Sequence, residues 1–149
     1  NINILPPSIY YSGDVFVSKN HQIVYPLSGI MGLGGVKTKD LLVEREKGLF
    51  KNFEDFVVRT KNIISSALLE NIIFSGALDD FGLTKKAMIN TYKSILNKAQ
   101  YSFINQLELI ETDYDIDEFT YGYLLDKEKE ILGKVDLRIW PILRIRNEK

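Results

Sequence analysis

Four glycines fall between positions 29 and 35, at Gly29, Gly32, Gly34 and Gly35, and they interrupt a chain that reads in helical periods downstream. The backbone must turn sharply here, because glycine reaches positive φ without steric cost and is a poor helix interior. The run Leu27-Ser28-Gly29-Ile30-Met31-Gly32-Leu33-Gly34-Gly35-Val36-Lys37 predicts a short helix ending at Gly32, Leu33 plugging inward, and a second helix opening at Gly34-Gly35. The first N–H groups of that second helix have no partner inside it. They lie at the positive end of the helix dipole, where an anion is favoured, and the missing side chains let a phosphate come close. Gly32, Leu33, Gly34, Gly35 and Val36 are therefore candidates for contact with a nucleic-acid backbone, aided by Lys37 and Lys39. Such contact touches no base edge and ignores base sequence.

Other glycine motifs do not fit. A dinucleotide-binding loop needs a strand before its first glycine and a third glycine where Lys37 stands, and a phosphate loop needs Gly-Lys-Ser/Thr at its end. A glycine-capped αα-turn with no ligand is the competing reading. A second unit downstream bears on that choice. Ile64, Ala67, Leu68, Leu69, Ile72 and Ile73 recur at helical spacing, Ser75-Gly76-Ala77-Leu78-Asp79-Asp80-Phe81-Gly82 breaks the pattern, and Ala87, Met88, Tyr92, Ile95 and Leu96 resume it. Two helix-hairpin-helix units in series can grip both strands of a duplex across one minor groove, whereas one holds a single strand's backbone. Gly76, Ala77, Lys85 and Lys86 join the candidates on this reading, with a solvated helix face as the alternative role for each lysine.

The rest of the chain frames these units. Asp14–Val17 and Gln22–Tyr25 read as a β-hairpin with His21 at its turn. Lys37–Glu46 is a helix stopped near Gly48, Phe53–Thr60 another with Asn52 as N-cap, and Thr84 caps a helix that runs to about Tyr101. Leu41, Leu42, Phe50, Phe53, Phe56 and Val57 are expected to fill the core between the hairpins. The predicted fold is mainly α: an extended segment and β-hairpin over 1–26, a tandem helix-hairpin-helix domain over 27–100, and an acidic linker with a C-terminal extension over 101–149.

A net charge of −1 looks wrong for a nucleic-acid binder until it is placed along the chain. Residues 1–100 carry 12 Lys/Arg against 9 Asp/Glu, residues 101–126 none against 7, and the last 23 residues 7 against 4. An acidic segment thus masks a mildly basic body, and it is expected to face away from phosphate. Asp113, Asp115 and Asp117 could share one face of a strand, but a two-metal site needs acidic partners from elsewhere in the chain. Tyr10, Tyr11, Tyr121 and Tyr123 could stack on single-stranded bases, with packing at the core's edge as the preferred reading. With no cysteine and one histidine, disulfides and thiolate metal sites are excluded. No apolar run reaches the ~18 residues of a membrane span, and no signal peptide is visible, so a cytoplasmic chain is expected.

Ile4-Leu5-Pro6-Pro7-Ser8-Ile9-Tyr10-Tyr11-Ser12, Phe16, Ile23-Val24-Tyr25, the first glycine turn, Gly48-Leu49-Phe50-Lys51-Asn52-Phe53-Glu54-Asp55-Phe56, Leu69, Ser75-Gly76-Ala77-Leu78-Asp79 and Glu128-Lys129-Glu130-Ile131-Leu132-Gly133 follow one another in a familiar order. Together they resemble the helix-hairpin-helix region of the alpha subunit of bacterial DNA polymerase III, the C-family replicative polymerases. The resemblance implies a fragment, which a start at Asn1 suits. In the family this region follows the fingers domain, precedes an oligonucleotide-binding fold and holds the new duplex. It also implies that the catalytic, magnesium-binding aspartates of the parent nucleotidyltransferase lie elsewhere, so no catalytic residue or cofactor is expected here. Its partners would be duplex DNA and other domains of the parent polymerase, with no membrane. Hairpins of this kind can also hold a monovalent cation through turn carbonyls, here those of Ile30, Gly32 and Val36.

Three departures stand out. Met31 replaces a frequent lysine, Thr38 replaces Val or Ala, and the chain after Gly133 leaves the family pattern. The alternative function is a structural domain that packs polymerase domains without touching DNA. A DNA repair enzyme with the same hairpins is disfavoured, because no catalytic Lys or Asp stands after the hairpin as such an enzyme would need.

Overall fold

The computed structural model describes residues 4–19, 22–105 and 114–133. Its fold is mainly α with a small sheet at the N-terminal end. Strands β1 (Ile4–Leu5), β2 (Val17–Lys19) and β3 (Gln22–Val24) form a sheet of order β1-β3-β2. The expected hairpin is the antiparallel β2–β3 pair, with Val17 opposite Val24, and the extended N-terminal segment adds β1 parallel to β3. His21 lies outside the described residues.

Among the described residues five α-helices follow: α1 (Gly34–Glu46), α2 (Phe53–Thr60), α3 (Ser66–Ser75), α4 (Lys85–Asn105) and α5 (Tyr121–Leu132). Local chemistry sets most of their starts. Asn52 accepts the Asp55 N–H at 2.8 Å, Ser65 the Leu68 N–H at 3.2 Å, and Thr84 the Ala87 N–H at 3.1 Å. Leu41, Phe50, Phe53, Phe56 and Val57 are buried and Leu42 partly so, which places the predicted core residues where the sequence pattern put them. Phe50 and Phe56 meet edge to face at 4.9 Å.

One boundary moves. The core does not stop at residue 100, because α5 packs against α3 and buries Ile131 and Leu132 in the same cluster as Leu33 and Leu68. The Ile131 carbonyl also accepts the Met31 N–H at 3.0 Å, so the end of α5 is tied directly to the first glycine turn. The N-terminal segment is equally integral: Ile9 is fully buried, its N–H reaches the Ala77 carbonyl at 2.9 Å, and Arg45 of α1 donates to the Ile9 and Ser12 carbonyls.

Candidate nucleic-acid interface

The first turn is exposed as far as its backbone and anchored by one side chain. A single 3₁₀ turn over Leu27–Gly29 leads through Ile30 to Gly32 at φ 88°, and Gly34 follows at φ 57°, so two left-handed residues flank Leu33. Leu33 is 1% exposed and plugs the core as the spacing predicts. Around it Met31, Gly32, Gly34, Gly35, Val36, Lys37 and Lys39 are all exposed. A Cβ added at Gly34 or Gly35 would meet no atom within 4 Å, so the approach to this backbone is clear.

Helix α1 begins at Gly34, where the glycine pair was expected to open it, with Leu33 at the N-cap position, no side-chain cap and no acidic residue in its first turn. Thr38 is buried and donates its hydroxyl to the Gly34 carbonyl, which satisfies the polar atom. Asn71 of α3 donates to the Met31 carbonyl at 3.1 Å and braces the turn from its other side.

The second unit is built differently from the expectation. Gly76 and Ala77 do not form an exposed turn: both are buried, Gly76 closes α3 at φ 91°, and the Ala77 N–H is taken by the Ser75 hydroxyl at 3.2 Å. The turn that repeats the first one lies just beyond. A 3₁₀ turn over Asp79–Phe81 leads to left-handed Gly82 (φ 79°), then Leu83, then α4, in the order Gly32, Leu33, α1 follows. The sequence signal was the repeated Gly-Leu before a helix start. Lys85 is no solvated lysine. Its side chain is 4% exposed and its Nζ lies 3.0 Å from Asp79, while Lys86 rests over the Phe119 ring with Nζ 5.6 Å from the centroid. The N–H groups of Lys85 and Lys86 both donate to the carboxylate of Glu118, at 2.8 and 3.0 Å.

The tyrosines divide. Tyr10 donates its hydroxyl to the Phe50 carbonyl at 2.7 Å and packs at the core's edge, Tyr123 packs in a tilted pair with Phe119 at 4.8 Å, and Tyr11 and Tyr121 are about half exposed. Asp113 lies outside the described residues, and among the described residues no group of three or more His, Asp or Glu could hold a metal ion. No described helix is long and apolar enough to cross a membrane.

Two turns in series, each with a left-handed glycine and an inward leucine ahead of a helix, make this a helix-hairpin-helix fold. The chain belongs to the helix-hairpin-helix family, whose model, described as a helix-hairpin-helix motif, matches residues 1–88. It is similar to the DNA polymerase III subunit alpha of Borreliella burgdorferi, 33% identical over 150 residues, covering 89% of this chain and 13% of that protein. The same subunit of Bacillus subtilis is 30% identical over 143 residues with the same coverage, and that of Thermus aquaticus 28% over 158 residues, covering 96% and 12%. The chain therefore spans about one-eighth of the length of these relatives.

Proposed function

We propose that this chain is a DNA-backbone-binding module of a replicative DNA polymerase III alpha subunit, working in the cytoplasm beside the other domains of its parent. In this reading the first hairpin holds a phosphate of duplex DNA on the N–H groups at the start of α1, with Lys37 and Lys39 beside it and no base read. One observation carries it. The starts of α2, α3, α4 and α5 are capped by Asn52, Ser65, Thr84 and Thr120, whereas α1 begins bare, on two exposed glycines. A helix start without a cap forgoes about 1 kcal/mol, which a bound anion would return. Contact through a single hairpin grips one strand of the duplex, and nothing in this reading requires the second hairpin.

Fluorescence anisotropy of a short labelled duplex over a salt series tests the proposal. Two neutralised phosphates give a slope of about −1.8 in log K against log salt, an approximately tenfold loss of affinity between 50 and 200 mM. Gly34→Glu and Val36→Glu each set a carboxylate against the phosphate and are expected to abolish binding. Val36→Glu does so without a left-handed side chain, since Val36 is 77% exposed within α1 and glutamate suits a first helical turn. Binding that both variants leave untouched would move the hairpin to a role in packing polymerase domains.

A further inference from the structure

The second hairpin has the shape of the first and an occupant of its own. Thr84 takes the Ala87 N–H, and Glu118 takes the two N–H groups before it, Lys85 through Oε2 and Lys86 through Oε1. The carboxylate therefore spans two successive donors with its two oxygens at the positive end of α4, as two oxygens of a phosphate would. Oε1 also accepts the Phe119 N–H at 2.9 Å. The strap that carries Glu118 is itself held, by the Thr84 hydroxyl on the Ile116 carbonyl at 2.7 Å and by Phe119 packed between Phe74 and Tyr123. Lys85, whose charge would serve a phosphate, is turned away and buried against Asp79.

We infer that Glu118 is an internal stand-in for a phosphate, which holds the second hairpin shut so that this chain clamps one strand of a duplex and not two. The inference rests on the reading of hairpin N–H groups as phosphate donors, but it concerns residues that the first hairpin does not use. One acidic residue of the segment that follows α4 thus fills the place a phosphate would take.

Amide NMR on the full chain, titrated with inorganic phosphate and then with a short duplex, reads the two hairpins separately. In the wild type the Gly34, Gly35 and Val36 amides are expected to shift and those of Lys85 and Lys86 to stay. In Glu118→Ala, phosphate is expected to shift Lys85 and Lys86 saturably. Should that variant not fold, Glu118→Gln keeps the side chain's length and one acceptor oxygen, drops the charge, and is expected to show the same shifts at higher phosphate. Movement of Lys85 and Lys86 in the wild type would overturn the inference, as would their immobility in every folded Glu118 variant, which would leave Glu118 a plain helix cap. Immobility of Gly34, Gly35 and Val36 with movement of Lys85 and Lys86 in the variants would sink the first-hairpin reading alone.

Discussion

Arg59 on α2 ties down the end of α1. Its Nη2 donates to the carbonyls of Glu44 at 2.6 Å and Gly48 at 2.8 Å, its Nε to the Glu44 carboxylate at 3.0 Å, and its guanidinium carbon sits 4.4 Å over the Phe50 ring. The carbonyls it serves belong to the last turn of α1 and the turn beyond, where the helix's own donors run out, and that of Glu44 also takes the Lys47 N–H at 3.2 Å. Arg59→Met keeps the apolar stem and removes the fork. Two charge-assisted bonds to carbonyls at about 1.5 kcal/mol each, with about 0.5 kcal/mol from the ring, suggest about 3.5 kcal/mol. Because the side chain is 20% exposed, water replaces part of this, and the expected loss is about 3 kcal/mol, a fall in Tm near 10 °C. Arg59→Lys restores the charge without the planar fork and should recover about a third. Urea unfolding followed by circular dichroism measures both. The pH dependence adds a second check, since the hydrogen bond from Arg59 holds the Glu44 carboxyl below its ordinary value of 4.5. A folded pKa below the unfolded one contributes stability at neutral pH that is lost as pH falls through the folded value. The gap between wild type and Arg59→Met should therefore narrow in acid below pH 4.5. A variant within about 1 kcal/mol of wild type at pH 7, or a lysine that restores full stability, would refute the reasoning.

Leu33→Ala removes the plug of the first turn, which is 1% exposed, and is expected to cost about 3 kcal/mol in the same unfolding assay while weakening duplex binding. A loss below about 1 kcal/mol would mean that the glycines alone hold the turn. Tyr92, whose hydroxyl donates to the Glu70 carboxylate, has its pKa pushed up to about 12 by burial and by that bond. Its folded pKa lies above the ordinary 10.0, so its contribution is complete below pH 10 and fades as pH rises toward 12. Ultraviolet titration of tyrosinate should show a late step that Tyr92→Phe removes, and a wild-type curve already complete near pH 11 would contradict the buried bond.

What was legible in the sequence follows the range of the physics. N-caps act within one turn, so Asn52 before α2 and Thr84 before α4 stand where their residue types predict. Leu33 between glycines, and the spaced apolar positions Leu41, Phe50, Phe53, Phe56 and Val57, were equally readable because burial follows period and composition. Within the break read over Ser75–Gly82 the contact residues were set at Gly76 and Ala77, where the helical period stops at the end of α3, although the turn that leads into α4 lies at its far end, at Gly82. Thr84 and Lys85 stand where the first hairpin has its glycine pair, which disguises the repeat. Glu118 was out of reach altogether. It lies 33 residues from Lys85 in a run of carboxylates, and nothing local marks which of them folds back onto α4.

The two hairpins nonetheless obey one rule. A helix start needs an acceptor for its N–H groups, and an acidic residue either supplies it or repels the ligand that would, according to where the chain places it. Around α4 a threonine and a distant glutamate supply every acceptor, at the expense of a buried lysine that needs its own aspartate. Around α1 there is neither cap nor carboxylate, and Lys37 adds positive charge at the end of the helix where it is least welcome. A chain that caps the starts of α2, α3, α4 and α5 with side chains and leaves that of α1 bare breaks its own pattern at one place. Such a breach is expected where a ligand, and not the fold, completes the structure.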